Sequence, residues 1–116
     1  MNDLATVNDH LSHQELFDAF KVQLGRDFQQ SNFPSDFVTA LEPNYAQIQE
    51  TIIRQLQRAQ KHADSDLMQL LYRVDISEAQ LKKYLKESIH DNQLATIAEL
   101  IIKRVLQKVV IRKYYK

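Results

Sequence analysis

Four histidines, His10, His13, His62 and His90, and the acids around them are the residues in this chain best suited to metal binding or proton transfer. His10 and His13 stand three apart, but one precedes a helix start and the other lies in its first turn, with no third ligand beside them in sequence. His62, Asp64 and Asp66 make a polar cluster between two helical segments. Read as a calcium loop from Asp64, the cluster places Met68 and Gln69 where an oxygen ligand and the turn glycine belong, so that reading fails. Asp64 and Asp66 are better explained as acids favoured at a helix start by its dipole. His90 with Asp91 is another connection between helices. No Ser/His/Asp set and no paired carboxylates have a spacing that suggests convergence on a reacting bond. No metal, no cofactor and no small-molecule ligand are therefore expected, and the expectation is a non-enzymatic protein.

Composition narrows the classes further. The chain has 116 residues, enough for one domain with one core, and is 44% hydrophobic and 26% charged. Glycine occurs once, which removes glycine-rich phosphate loops and disfavours hairpins. Cysteine is absent, which removes disulfides, thiolate metal sites and cysteine nucleophiles. No apolar run approaches the roughly 18 residues that span a bilayer, and the start "MNDLATVNDH" lacks a signal-like apolar region. A cytoplasmic protein without membrane contact is expected.

Charge is zero overall but unevenly spread. Residues 1–50 carry eight acids against Lys21 and Arg26, whereas residues 103–116 carry six cations and no acid. Cations near a helix C-terminus are favoured by its dipole. The acidic half folding back against them is the economical reading, and head-to-tail pairing of subunits is the other.

The elements that must position these residues are helices. Residues 1–10 are polar and are expected as a flexible N-terminal segment ahead of a single domain over 11–116. Ser12 and Glu15 have capping-box spacing, with Leu11 and Leu16 spaced as a hydrophobic staple. Phe17, Phe20, Leu24 and Phe28 then recur at helical spacing, and the periodicity runs through Gly25 to about residue 30. "SNFPSDFVTALEP" reads as a connection with a short helix whose Phe37, Val38 and Leu41 plug the bundle. Pro43 opens a helix to about Ala63, with Tyr45, Ile48, Ile52, Leu56, Ala59 and Ala63 on one face. A short helix follows with Leu67, Leu70, Leu71 and Val74. Ser77 and Gln80 repeat the capping-box spacing, with Ile76 and Leu81 as staple, and Asn92 or Asp91 starts a last helix reaching almost to Lys116. The expected fold is all-α: a compact bundle of five or six helices with a long, central C-terminal helix.

"LLYRVDISEAQLKKYL" resembles the helix-turn-helix of DNA-binding proteins in length, in its Val74/Ile76/Leu81/Leu85 pattern and in Ser77 beginning the second helix. It departs where Leu71 fills the usual small position and Asp75 replaces the turn glycine. The resemblance implies that Lys82, Lys83 and Lys86 face nucleic acid. Against it, the second helix begins with Glu78, offers no Arg or Asn for bidentate base reading, and belongs to a neutral chain.

On the last helix, Leu94, Ile97, Ala98, Ile101, Ile102, Val105, Leu106 and Val109 form the core stripe. Leu100, Gln107, Val110, Ile111 and Tyr114, with Lys103 and Arg104 at the edge, lie off it. A helix apolar on most sides is either central to its own bundle or has a second client. The expectation is a protein-interaction or accessory module that meets a protein partner, or a second copy of itself, through those seven residues. Nucleic-acid binding through the 66–87 helix pair is the alternative.

Overall fold

Apolar side chains three and four apart decide where each helix forms and which side it buries. In the computed structural model, which describes residues 4–59, 64–87 and 92–114, this yields six α-helices and one 3₁₀ turn, with no strand among the described residues. They are α1 (Leu4–Leu11), α2 (Gln14–Gln29), the 3₁₀ turn Asp36–Ala40, α3 (Tyr45–Ala59), α4 (Asp64–Arg73), α5 (Glu78–Glu87) and α6 (Gln93–Tyr114). The all-α bundle with a long, central last helix is what the sequence predicts.

α1 is a correction. Residues 4–11 are helical where the polar sequence reads as a loose segment. Val7 and Leu11, four apart, drop fully buried into the bundle, and Asn8 Oδ1 accepts a 3.0 Å hydrogen bond from the backbone N–H of Tyr45. Two apolar anchors and one polar tie hold eight residues in place. Ser12 is a second correction. Its Oγ donates to the carbonyl of Asp9 at 2.6 Å, so it closes α1 instead of forming a box with Glu15. His13 occupies the N-cap position of α2 without a side-chain cap.

α2 buries Phe17, Phe20, Leu24 and Phe28, the expected aromatic face. It ends in a Schellman motif: Phe33 N–H donates to the Phe28 carbonyl at 3.0 Å and Asn32 N–H to that of Gln29 at 3.3 Å. Asn32 takes the left-handed conformation at φ 67°. Phe28 meets Phe33 and Phe37 edge to face, with ring centroids 5.5 and 4.9 Å apart. Phe37 and Val38 are half-buried and Leu41 is buried, so the 3₁₀ turn does plug the bundle.

α3 begins at Tyr45, two residues beyond Pro43, because Asn44 Oδ1 caps it by accepting from Gln47 N–H at 3.0 Å. Its buried face is the expected one, Tyr45, Ile48, Ile52 and Leu56; the continuation to Ala63 lies outside the described residues. Burial and the neighbouring Glu99 push the Tyr45 phenol well above its ordinary range. Asn92 caps α6 through a 2.9 Å bond from Leu94 N–H.

α6 is the central element, touched by α1, α2, α3 and α5. Leu94, Ile97, Ala98, Leu100, Ile101, Ile102, Val105, Leu106 and Val109 are all buried. Each Leu, Ile or Val among them contributes roughly 1.5–3 kcal/mol relative to exposure, so this one helix organises much of the core.

Candidate interaction surface

The corner between α4 and α5 is built by two local devices within the ten residues 71–80. α4 closes in a second Schellman motif, with Ile76 N–H donating to the Leu71 carbonyl at 2.9 Å and Asp75 N–H to that of Tyr72 at 3.1 Å. Asp75 stands left-handed at φ 69°, the conformation that makes glycine the usual residue here. Ser77 and Gln80 then form the predicted capping box: Gln80 N–H donates to Ser77 Oγ at 3.1 Å, and Ser77 N–H donates to Gln80 Oε1 at 3.4 Å. Ile76 and Leu71, at the positions where such motifs make an apolar contact, are both buried.

α6 locks this corner with cations. Arg104 donates from Nη2 to Asp75 Oδ2 at 2.9 Å and from Nη1 to Gln107 Oε1 at 2.6 Å. Lys108 Nζ donates to the Arg73 carbonyl at 2.7 Å, placing a positive charge at the negative end of α4. Below lies a polar seam. Asp27 of α2 is 4% exposed; its Oδ1 accepts from Gln23 Nε2 at 3.0 Å, and its Oδ2 stands 3.8 Å from Lys108 Nζ. Burial holds the Asp27 carboxyl above its ordinary value, although Lys108 and Gln23 pull the other way. Arg112 donates to Gln23 Oε1 at 2.7 Å, and Lys113 is paired with Glu15. Lys108, Arg112 and Lys113 thus meet side chains of the acidic N-terminal half within the same chain.

On this fixed corner Tyr72 points outward at 85% exposure, and Met68, one turn earlier, is 42% exposed. Tyr72 borders three clefts. One of about 770 Å³ runs between Met68, Gln69, Ile76, Ser77 and Glu78. One of about 480 Å³ is lined by Asp75, Ile76, Ser77, Gln80 and Arg104. The third, of about 440 Å³, opens over Asp27, Gln69 and Arg73. An exposed aromatic flanked by concavities is the form of an interface anchor.

The seven residues expected on the second face of the last helix are divided by the structure. Leu100 is 2% exposed and belongs to the core, so it is not a contact residue. Neighbouring helices cover that side of α6, and periodicity alone carries no record of which neighbours those are. Lys103 is half-buried, 3.8 Å from Glu99, and half-buried Arg104 and Gln107 are bonded to one another. Val110 is half-buried against the core. Ile111 and Tyr114, 47% and 59% exposed, are what is left open, at the end of the helix.

Lys82, Lys83 and Lys86 are all exposed on α5, which has no fully buried residue and rests on α6. Leu71, at the small position of the helix-turn-helix pattern, is buried. Among the described residues no group of three His, Cys, Asp or Glu could hold a metal; His62 and His90 lie outside them. No helix among the described residues is long and apolar enough to cross a membrane. Tyr72 and Met68 are functional candidates that sequence reasoning passes over, and they carried a signal: both fall off the Leu67/Leu70/Leu71/Val74 face of an otherwise polar helix.

No known protein family, curated protein or solved structure matches the chain.

Proposed function

We propose that the chain is a non-enzymatic protein-interaction module that binds protein through the outward face of α4, centred on Tyr72. The observation that supports it is the 85% exposure of Tyr72 on a backbone fixed by a Schellman motif, a capping box and the Arg104 and Lys108 contacts. A rigid amphipathic side chain on an ordered corner forms contacts at low entropic cost. Self-association through the last helix is reduced in this reading to a contribution from Ile111 and Tyr114. No cofactor or small molecule enters it, and a cytoplasmic setting fits the cysteine-free chain. The test is a photo-crosslinking residue placed at position 72, and at exposed Val22 as control, in the organism of origin. A polypeptide adduct at 72 and not at 22 supports the reading; equal or absent adducts refute it.

A second reading, nucleic-acid binding through α5, rests on Lys82, Lys83 and Lys86, exposed side chains with no ion-pair partner among the described residues. It requires affinity for duplex DNA that falls steeply with salt and weakens on Lys82→Glu/Lys83→Glu. Undetectable binding at low salt removes it.

A further inference from the structure

We infer that the partner seated on α4 is a second copy of this chain, docked antiparallel across a two-fold axis, an inference that rests on the interaction-module reading above. α4 is complementary to itself. Met68 and Tyr72, four residues apart, form an exposed apolar pair on its outer side. Asp66 and Arg73, seven residues or two turns apart, share one flank of the helix. α2 confirms that placement, since Asn32 and Gln30 at its end touch both: Asn32 Nδ2 donates to Asp66 Oδ1 at 3.4 Å, and Arg73 Nη1 donates to Gln30 Oε1 at 2.8 Å.

A two-fold axis perpendicular to α4, passing beside it at the level between Gln69 and Leu70, sets a second α4 antiparallel against the first. It sets Asp66 level with Arg73 of the second copy, and Arg73 level with Asp66 of the second copy. In an antiparallel helix pair each flank meets the same flank of its partner, so both contacts are between opposite charges. The same axis sets Tyr72 level with Leu67 and Met68 of the second copy, an aromatic–thioether contact of the favourable kind. The 770 Å³ cleft beside Met68 and Tyr72 is where the incoming ring lodges. The wider patch is also balanced, Asp66, Asp75 and Glu78 against Arg73, Arg104 and Lys108, so it faces its own copy without net repulsion. One such contact is isologous and closed, giving a dimer and no longer polymer. With two partly exposed apolar side chains per copy, it belongs to the small, transient class of interfaces.

Sedimentation velocity of the full chain from about 10 μM to about 1 mM tests this. The wild type is expected to move reversibly from monomer to dimer, and Tyr72→Ser to raise the dissociation constant about tenfold or more. Asp66→Arg and Arg73→Glu each place like charges opposite one another twice and are expected to weaken self-association about tenfold. Mixed in equal amounts, these two variants are expected to pair about as tightly as wild type, because both cross contacts become opposite in sign. Circular dichroism melts establish that each variant is folded. A wild type that stays monomeric to about 1 mM, or a wild type that dimerises while the mixture does not recover, overturns the inference. If the wild type is monomeric while position 72 crosslinks to a different polypeptide, self-pairing falls and the module reading stands. If position 72 crosslinks to nothing, the module reading falls.

Discussion

Lys108 Nζ stands 3.8 Å from Asp27 Oδ2 while donating at 2.7 Å to the carbonyl of Arg73, so one ammonium joins α2, α6 and the end of α4. Asp27 is nevertheless held above its ordinary pKa of 3.8, because burial of the carboxylate outweighs the attraction of Lys108, Gln23, Arg73 and Arg26. Ionised Asp27 is thus a net cost to the folded state at neutral pH, even beside the ammonium that joins the three helices.

That sign gives the first prediction. A folded-state pKa raised above the unfolded value contributes stability that is present below the unfolded pKa and is lost as pH rises through the folded one. Asp27→Asn is therefore expected to be at least as stable as wild type at pH 7. Its advantage should shrink as pH is lowered toward 3.8, the ordinary value. Urea unfolding of both proteins across this range measures it; a variant destabilised equally at every pH contradicts the assignment.

Leu100 and Tyr72 make an opposed pair. Leu100 is 2% exposed and Tyr72 85%. Leu100→Ala should cost about 2–5 kcal/mol by leaving a cavity around α6, whereas Tyr72→Ser should change stability by no more than about 0.5 kcal/mol. Chemical denaturation reads both, and comparable losses would show that the corner is structural and not a contact surface.

The caps differ in the same way. Ser77→Ala removes the acceptor for Gln80 N–H and should cost about 1 kcal/mol. Ser12→Ala removes only an exposed bond to the Asp9 carbonyl and should cost less than about 0.5 kcal/mol. Equal costs at the two serines would restore the Ser12–Glu15 box that the sequence suggests.

Gly25 lies inside α2, and a Cβ there would meet the Val38 methyl groups at 3.5 and 3.6 Å, ordinary van der Waals contact. Gly25→Ala is expected to stabilise the protein by about 0.5–1 kcal/mol through lower backbone entropy in the unfolded chain. Thermal denaturation checks it, and a loss would mean that the 3₁₀ turn cannot accept one more methyl group.

What the sequence made legible was local. The aromatic face of α2, the buried face of α3, the Ser77–Gln80 box and the Asn92 cap each depend on residues within a few positions of one another, where spacing carries the geometry. α1 escaped because its two anchors, Val7 and Leu11, sit among polar residues and gain their partners only from distant helices. Ser12 escaped because two helix ends compete for one hydroxyl, and spacing does not record which wins. The last helix was correctly placed at the centre, but its sidedness was not legible. Leu100 lies off the main stripe in sequence and is buried all the same, because helices pack around α6 on several sides. The six cations of residues 103–116 were visible as a surplus; the contacts of Lys108, Arg112 and Lys113 with the N-terminal half required the fold.

In the proposed interaction α4, and not α6, presents the face that meets protein. Backbone amide spectra of the isotopically labelled chain, recorded from dilute to concentrated solution, test it most directly. Shifts that grow with concentration at Asp66, Met68, Gln69, Tyr72 and Arg73, with residues 94–102 unmoved, are expected. Shifts centred on Ile111 and Tyr114 with α4 silent would contradict it.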